Sequence, residues 1–322
     1  MVVGSITVGT PFTNGMFAMM PCGPICVIFN PTAGRGQARR LIKTVRREMN
    51  CELHLRPTRH SGHAVELAQT AAAEGYPIVA AAGGDGTVHE VANGILLANR
   101  PDVVFSVWPI GSANDYAFAL GLTSWIRRWR QIELEERLVD VGRVASGNRS
   151  AFFVNCLGVG FNGAVTFEAR KISWLRGMPL YGLATLKSLW RHFDQPLLRV
   201  RLDSIERIVP TLALSVNLGL REGNFPVTPG AVLDDGMFDI VQAGPLSRWQ
   251  ALKLLPRMAT GTLPDDRSDL WLGRCRTVTV ESPTALRVHT DGEFFCQPEE
   301  AVRDLRVELL PQRLRVLQAK QS

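Results

Sequence analysis

The chain has 322 residues, 46% of them hydrophobic and 20% charged, which is typical of a globular protein with room for two domains. Its net charge of +6 fits an anionic ligand, an anionic membrane surface or nucleic acid without choosing among them. No apolar run reaches the ~18 residues of a membrane span. The six cysteines form no paired CxxC pattern, which favours reduced thiols in a cytoplasmic protein.

The chain starts with a segment that we interpret as a flexible extension, residues 1–22. Its first twenty residues contain no Lys or Arg and so lack the basic start of a signal peptide. Translation starting at Met19 or Met20 is the alternative.

Three segments of the first half share one plan, in which a short apolar run is followed by a glycine-rich turn and a helical pattern. The apolar runs cover 25–29, 77–82 and 103–110, and the turns read NPTAGRG, GGDG and GSAND. This alternation predicts an α/β domain with a mainly parallel sheet. Since the carboxyl ends of such strands line a ligand crevice, we expect the three turns to open onto one site.

The stretch AAGGDGTVHEVANG, residues 81–94, places Asp85 among glycines. Thr87 and Glu90 match the T-x-x-E capping box that starts a helix. The free N–H groups of a helix N-terminus bind anions, and a carboxylate beside them can hold phosphate through Mg²⁺. We therefore predict a phosphate site at Asp85, and we expect His89, one turn further on, to face solvent.

After about Asp140 the pattern changes to short alternating runs, which predict a mostly antiparallel β domain, a sandwich or an open barrel. Helical stretches at about 168–193 and about 247–260 interrupt it. The basic, aromatic segment 170–193 is either an ordinary helix covering the β domain or a surface for acyl chains and anionic lipid. The cluster WIRRWR, residues 125–130, permits the same two interpretations.

Three further turns have two interpretations each. TDGEFF, residues 290–295, is a strong hairpin signal, yet it also brings the carboxylates of Asp291 and Glu293 close together. LDDGMFDI, residues 233–240, is a hairpin turn or a set of oxygen ligands for a cation. GVGFNG, residues 158–163, matches a dinucleotide fingerprint but lacks the acid expected ~20 residues later, so we interpret it as a structural turn.

Taken in order and spacing, NPTAGRG, GGDGTVHEVANG, GSAND, LDDGMFD and DGE resemble the diacylglycerol kinase catalytic-domain family over about residues 24–318. That family includes soluble bacterial diacylglycerol kinases and the sphingosine and ceramide kinases. GGDGT alone would be shared with NAD kinases, whereas the later motifs are specific for the lipid kinases.

The resemblance implies an ATP-dependent kinase that transfers the γ-phosphoryl group to a lipid hydroxyl, in lipid metabolism and phospholipid biosynthesis. It implies an α/β nucleotide-binding domain at 23–140, completed by a returning segment at about 312–322, and a β-sandwich lipid-substrate domain at 141–311. Diacylglycerol is the first acceptor expected and a sphingosine- or ceramide-like lipid the next. His89 resembles the residue of sphingosine kinases at this motif position, so the identity of the acceptor lipid stays open.

The resemblance also implies roles for single residues. Asp291, with Glu293 beside it, resembles the general base, and Asp85 is the competing assignment for that role. Mg²⁺ would be held by Asp85 and Asp115, with a structural Mg²⁺ at Asp235. Because a Walker lysine is absent, metal and backbone would carry more of the phosphate charge. The nucleotide site would comprise Asn30, Thr58, Gly84, Asp85, Gly86, Thr87, Ser112, Asn114 and Asp115.

Two alternatives remain open at this point: an NAD kinase-like enzyme with a soluble acceptor, and a catalytically silent lipid-binding protein. We expect a cytoplasmic protein whose contact with a membrane is peripheral, with its lipid substrate at the membrane surface. A nucleic-acid partner is not expected, because the basic residues form no compact run. A homodimer is left open.

Overall fold

The computed structural model describes residues 23–49, 51–128, 130–264 and 267–320; the extension interpreted at 1–22 lies outside them. The strands are β1 (Ile25–Phe29), β2 (Leu53–Pro57), β3 (Ile78–Gly83), β4 (Val104–Pro109), β5 (Leu134–Ser146), β6 (Arg149–Phe153), β7 (Cys156–Gly160), β8 (Leu197–Leu202), β9 (Ile205–Pro210), β10 (Ala213–Asn217), β11 (Phe238–Ala243), β12 (Leu270–Cys275), β13 (Thr277–Glu281), β14 (Val288–Thr290), β15 (Glu293–Cys296) and β16 (Asp304–Ala319). The helices are α1 (Ala38–Glu48), α2 (His63–Ala73), α3 (Asp85–Ala98), α4 (Asp115–Ala119), α5 (Trp125–Arg128), α6 (Phe161–Arg170), α7 (Gly177–Arg191) and α8 (Arg248–Thr260).

The first half forms a parallel sheet in the order β2-β1-β3-β4, with Ile25 opposite Ile78 and Ile78 opposite Val104. Every residue of β1, β3 and β4 is buried. Continuous apolar strands of this kind are typical of parallel sheets covered on both faces. The prediction of a mainly parallel α/β domain is confirmed.

The second half builds an antiparallel sheet in the order β12-β11-β10-β7-β14-β15. It packs against β5 and β6, where the rings of Phe153 and Phe238 stack with centroids 5.7 Å apart. The predicted antiparallel β domain is therefore also confirmed, and its two layers meet through apolar side chains.

The last strand, β16, connects the two halves. Arg315 lies opposite Val104 in a parallel pairing with β4, while Val307 lies opposite Val278 in an antiparallel pairing with β13. Strand β5 runs antiparallel along most of β16. The two predicted domains thus share one continuous sheet, and the domain boundaries inferred from the sequence stay a prediction.

Helix α3 starts earlier than the sequence pattern indicated, and the predicted capping box is wrong. The helix begins at Asp85, so Thr87 lies inside its first turn and caps nothing. Glu90 instead accepts hydrogen bonds from the backbone N–H groups of Gly62 (2.8 Å) and Ala64 (3.0 Å). Its carboxylate therefore stabilises the start of the neighbouring helix α2, which no local motif shows.

The helical stretch expected at about 168–193 is two helices, α6 and α7. Gly177 has a φ of 60°, and Pro179 is tolerated only in the first turn of a helix because it lacks an N–H. Both force a new helix start after the loop at 171–176. Helix α8 agrees with the prediction for 247–260 and begins with a capping box formed by Ser247 and Gln250. Within the described part of the chain, no helix has the length and apolar character needed to cross a bilayer.

Candidate active site

Two glycine-rich turns meet at the carboxyl ends of β3 and β4. A Cβ on Gly111 would lie 2.4 Å from the Cα of Gly84, so the turns approach more closely than side chains permit. Asp85 joins them, because its carboxylate accepts hydrogen bonds from the backbone N–H groups of Asn114 (2.9 Å) and Asp115 (2.8 Å). The GGDG and GSAND motifs therefore form one structural unit around Asp85.

This unit gathers negative charge in a poorly solvated place. Burial raises the pKa of Asp85, and the Asp291 carboxylate adds to that effect, while the N–H donors of the GSAND turn oppose it. Burial also raises the pKa of Asp115, and the charge of Asp85 raises it further. A bound cation would lower both pKa values, because its positive charge stabilises the ionised carboxylates. A phosphate-bound Mg²⁺ typically uses one or two carboxylates in this way. The pair Asp85 and Asp115 therefore fits the predicted Mg²⁺.

Asp291 lies at the tip of the hairpin between β14 and β15. Asp291 and Gly292 have φ values of 51° and 86°, as a two-residue type I′ turn requires. The hairpin predicted from TDGEFF is therefore confirmed. The turn points back toward β7, since the Asp291 N–H donates to the carbonyl of Cys156 (2.8 Å).

The carboxylate of Asp291 is fully engaged. It accepts hydrogen bonds from the backbone N–H groups of Val154 (3.0 Å), Asn155 (2.9 Å) and Cys156 (3.0 Å). Nδ1 of His89 lies 2.9 Å from its Oδ2. A carboxylate offers about four acceptor positions, and these contacts occupy them. They favour a positioning role for Asp291 over the base role predicted for it.

His89 is 9% exposed, so the expectation that it faces solvent is wrong. Helix α3 is covered by β6 at this point, where Asn93 donates to the carbonyl of Phe152 at 3.0 Å. The second half of the chain therefore buries a helix face that local patterning left open. The sequence contained a hint in the pair of His89 and Asn93, which are polar residues spaced one helical turn apart.

Glu293 extends from the same hairpin over the GGDG turn. Its Oε1 would be 2.7 Å from a Cβ on Gly86, and its Oε2 accepts a hydrogen bond from Arg170 at 2.6 Å. Arg170 also donates to the carbonyl of Gly292 at 2.8 Å. Glu293 is thus the carboxylate of the DGE motif that reaches the space above the GGDG turn.

A polar cleft opens above these turns, with a volume of about 1160 Å³ when the solvent at its mouth is included. Of the predicted nucleotide residues, those that line the cleft are Asn30, Gly84, Asp85, Gly86 and Ser112. Thr58, Thr87, Asn114 and Asp115 lie outside its lining. Asp115 lines the neighbouring apolar cavity instead. Thr58 donates its N–H to Phe29, Asn114 donates its N–H to Asp85, and the Thr87 side chain packs against Gly83.

Arg170 at the end of α6 and Arg176 in the loop before α7 also line this cleft. In the sequence both arginines belong to a basic segment predicted to be helical, and metal and backbone were expected to carry more of the phosphate charge. Their position depends on how the second half folds over the first, so motif spacing could not reveal it. Their basic character at the end of α6 was the only available signal.

A second, apolar cavity of about 1290 Å³, its mouth included, lies between the antiparallel sheet and helices α6, α7 and α8. Its apolar lining includes Phe161, Val165, Leu189, Leu212, Val241, Leu254, Met258 and Leu270. The cavity and the polar cleft share Asp85, Thr166, Tyr181, Asp291 and Gly292. The two spaces therefore meet at the carboxylates.

The LDDGMFD turn does not fit the structural Mg²⁺ expected at Asp235. The Asp235 carboxylate is bound by the guanidinium of Arg274, and Asp234 accepts a hydrogen bond from Nε of Arg137 at 2.6 Å. Across the residues that the structure describes, no cluster of three or more His, Cys, Asp or Glu side chains is arranged for a metal. The guanidinium groups of Arg274 and Arg137 thus occupy the positions from which a metal ion would contact these two carboxylates.

Comparison with known proteins places these features in one family. Residues 24–144 match the diacylglycerol kinase catalytic domain, and residues 155–318 match the YegS C-terminal NAD kinase beta sandwich-like domain. A probable lipid kinase YegS-like protein of Chromohalobacter salexigens is 31% identical over 77% of this chain and 79% of its own length. The chain belongs to the diacylglycerol kinase catalytic-domain family.

Other members of this lipid kinase family agree. A diacylglycerol kinase of Mycobacterium tuberculosis is 30% identical over 71% of this chain and 74% of its own length. A crystal structure of a diacylglycerol kinase from Bacillus anthracis covers 93% of this chain and 98% of its own, with a TM-score of 0.67 and 19% identity. At that identity the likeness shows the fold alone.

Proposed function

We propose that this family member transfers the γ-phosphoryl group of Mg-ATP to the hydroxyl of a lipid. The observation that carries the proposal is the junction of a polar, glycine-lined cleft with an apolar cavity at Asp85 and Asp291. A nucleotide in the cleft and a lipid in the cavity would bring the two reacting groups together at these carboxylates. The names of the relatives make diacylglycerol the first acceptor to test.

Phosphoryl transfer depends mostly on positioning and on stabilising charge. The N-terminus of α3 and the glycine amides present partial positive charge to the phosphates. Arg170 and Arg176, from the opposite wall, would add two full charges. Asp85 and Asp115 would hold Mg²⁺, which when bound neutralises the phosphate oxygens.

The lipid hydroxyl must lose its proton, and we propose Glu293 as the general base that accepts it. Asp291 already accepts four hydrogen bonds, so protonating it would break at least one of them. Glu293 has one oxygen over Gly86 and the other on Arg170. Asp291 fixes the hairpin that carries Glu293 and thereby positions the base.

Helices α7 and α8 would dock the enzyme on an anionic membrane. Their inner faces line the cavity through residues such as Tyr181, Leu189 and Leu254. Neither helix contains Asp or Glu, and together they contain five basic residues: Lys187, Arg191, Arg248, Lys253 and Arg257. Trp190 and Trp249 on their outer sides are 68% and 67% exposed.

Exposed tryptophan and basic side chains are the groups that insert at an anionic lipid interface. A peripheral contact on this face would place the bilayer beside the helices that enclose the cavity, so a lipid would have a short path into it. This arrangement favours the interpretation of segment 170–193 as a lipid-facing surface.

The proposed reaction is tested by transfer of label from [γ-³²P]ATP in the presence of Mg²⁺. The acceptors are mixed micelles of diacylglycerol, monoacylglycerol, sphingosine or ceramide, with NAD in a parallel reaction without lipid. Labelling of a lipid is expected. Labelling of NAD alone would replace the proposal with an NAD kinase-like activity, and ATP-independent lipid binding without any label would indicate a silent lipid-binding protein.

Membrane docking is tested by co-sedimentation with vesicles of phosphatidylcholine, with or without phosphatidylglycerol. We expect Lys253→Glu/Arg257→Glu to abolish binding to the anionic vesicles. Arg39→Glu/Arg40→Glu, an equal charge change on the exposed face of α1, is the matched control and should bind like the wild type. Equal losses of vesicle binding in both variants would show that binding depends only on net charge. That result would contradict the assignment of α7 and α8 as the docking surface.

A further inference from the structure

Helix α6 runs from the apolar cavity to the polar cleft. Phe161 and Val165 line the cavity, and Thr166 lines both spaces. Arg170, the last residue of the helix, lines the cleft. Phe161 and Val165 are four residues apart, as are Thr166 and Arg170, so these side chains share one face of the helix. The helix therefore brings a cation to the cleft from the wall of the cavity.

The guanidinium of Arg170 is held by three consecutive residues of the DGE hairpin. Its Nη2 donates to the carbonyl of Gly292 at 2.8 Å and to Oε2 of Glu293 at 2.6 Å. Its Cζ lies 4.7 Å from the ring centroid of Phe294, which is within the range of a cation–π contact. These contacts fix the guanidinium and the Glu293 carboxylate relative to each other.

Most of the donors of this guanidinium remain available. An arginine side chain offers five N–H groups in a planar fork, and the hairpin uses only those on Nη2. Within the part of the chain that the structure describes, Nη1 and Nε of Arg170 donate to no protein acceptor. The side chain is 45% exposed and lines the cleft, so a ligand there can reach it. Phosphate oxygens are acceptors that such a fork binds well.

The second arginine of the cleft, Arg176, has no corresponding link. Among the described residues its side chain forms no hydrogen bond and no ion pair, although it lines the same cleft. The difference matters because a nucleotide phosphate and the Glu293 carboxylate are both negative and repel each other at short distance. A guanidinium that binds both groups offsets this repulsion, and Arg170 is placed to do so.

We propose that Arg170 is a positioning residue that couples nucleotide binding to the general base. Its Nη2 holds Glu293 over the GGDG turn, while its other N–H groups bind phosphate oxygens of the nucleotide. Glu293 is then fully fixed in place only when the phosphoryl donor is bound. The inference rests on the proposed lipid kinase function and adds to it a link between the nucleotide and the DGE hairpin.

Hydrogen–deuterium exchange of the full chain measures this link without catalysis. The probe is Mg-AMPPNP, a non-hydrolysable ATP analogue, at a saturating concentration. In the wild type it should slow exchange in peptides that cover residues 290–296. Arg170→Met should lose this protection of the hairpin while keeping that of the GGDG turn. Arg176→Met removes an equal charge from the cleft and is the matched control, in which hairpin protection should persist.

Steady-state kinetics of lipid phosphorylation gives a second readout. Arg170→Met should raise KM for ATP by about 10- to 100-fold, as for a lost hydrogen bond between charged groups. It should also lower kcat by about 10²-fold, the cost of a misplaced catalytic group. Arg176→Met should raise KM for ATP with kcat little changed. Arg170→Lys keeps the charge but lacks the planar fork, so it should not restore kcat.

Hairpin protection that is absent in the wild type, that persists in Arg170→Met, or that is lost equally in Arg176→Met overturns the inference. Wild-type kcat in Arg170→Lys overturns it as well, because a positive charge alone would then suffice. Arg170→Lys also replaces Arg170→Met in the exchange experiment if the latter does not fold. If the wild type labels no lipid, the proposed function fails, and the exchange experiment still decides whether Arg170 links the nucleotide to the hairpin.

Discussion

At the residue scale, the two carboxylates of the DGE motif have different surroundings. Asp291 accepts hydrogen bonds from three consecutive backbone N–H groups and from His89. The Glu293 carboxylate has one oxygen on Arg170 and the other over Gly86. A base must be free to take a proton at the reacting atoms. We therefore propose Glu293 for that role and Asp291 for holding the hairpin in place.

Glu293→Gln should lower kcat for lipid phosphorylation by about 10²- to 10⁴-fold, the usual effect of removing a general base. Its unfolding temperature should stay close to that of the wild type, because the side chain is partly exposed and its partner Arg170 can turn to solvent. Steady-state kinetics and a thermal melt check both parts. A variant with wild-type kcat would show that another group takes the proton.

Asp291→Asn should mainly affect stability. The amide would turn an N–H₂ group toward backbone N–H donors, so at least one buried donor would lose its acceptor, at a cost of about 1–3 kcal/mol. Urea unfolding measures the change in the free energy of unfolding. A fully stable Asp291→Asn protein that has lost turnover would contradict this division and restore Asp291 as the base.

The sequence could predict part of this residue-scale picture. Asp-Gly between alternating runs predicted the turn, because type I′ geometry demands residues that accept positive φ. The donors to Asp291 lie at 154–156, more than 130 residues away in the chain. No spacing rule connects two such segments, so the hydrogen bonds that engage the Asp291 carboxylate could not be predicted from the sequence.

At the scale of elements, the contact between the turns after β3 and β4 organises the site. Gly84 and Gly111 touch through their backbones, and Asp85 can reach the GSAND turn only because of this approach. The contact explains why glycine is needed at position 111 and why a Cβ at position 84 would be tightly packed, independently of any ligand.

Gly111→Ala should destabilise the protein by about 1–3 kcal/mol, the usual cost of overpacking, because its methyl group would lie 2.4 Å from Gly84. Gly230→Ala is a suitable control, since a Cβ there would meet nothing within 4 Å. Urea unfolding of both variants tests the contact. Equal stability of the two variants would mean that the turns can separate at little cost.

The two errors in predicting elements have different physical causes. The T-x-x-E match misplaced the start of α3 because Glu90 finds its hydrogen-bond donors on α2, a tertiary contact that a local motif cannot report. The break between α6 and α7 was missed because an apolar, basic pattern continued through it. Gly177 and Pro179 were the available signals, and they indicate a helix start more strongly than the pattern indicates continuity.

At the scale of the whole molecule, β16 makes the two halves interdependent. It pairs with β4 of the parallel sheet and with β5 and β13 of the antiparallel region. The alternation of strands and helices was enough to predict both sheet types. The shared strand was anticipated only through the family resemblance, which placed a returning segment at about 312–322.

A chain truncated after Pro311 should fail to fold stably. It would lose the parallel neighbour of β4 and the antiparallel neighbour of the first half of β5, leaving the buried, apolar strand β4 with an open edge. Circular dichroism and size-exclusion chromatography of the truncated protein check this. A monomeric product with an unchanged melting temperature would show that the halves fold independently.

The meeting of cleft and cavity is also a whole-molecule property. Arg170, Arg176 and the apolar cavity belong to the second half, while the glycine turns belong to the first. Motif spacing identified the glycine turns, Asp85 and Asp291, which line the cleft, but it carries no information on how the second half folds over them. Consequently the position of the two arginines at the cleft became visible only in three dimensions.

The measurement that tests the central claim most directly is lipid phosphorylation from [γ-³²P]ATP by the wild type and by Asp85→Asn, both shown to be folded by their thermal melts. Asp85 lies where the polar cleft and the apolar cavity meet, so we expect the wild type to label a lipid hydroxyl and Asp85→Asn to give no label above background. Labelling by a folded Asp85→Asn protein at the wild-type rate would contradict the claim that phosphoryl transfer occurs at this junction.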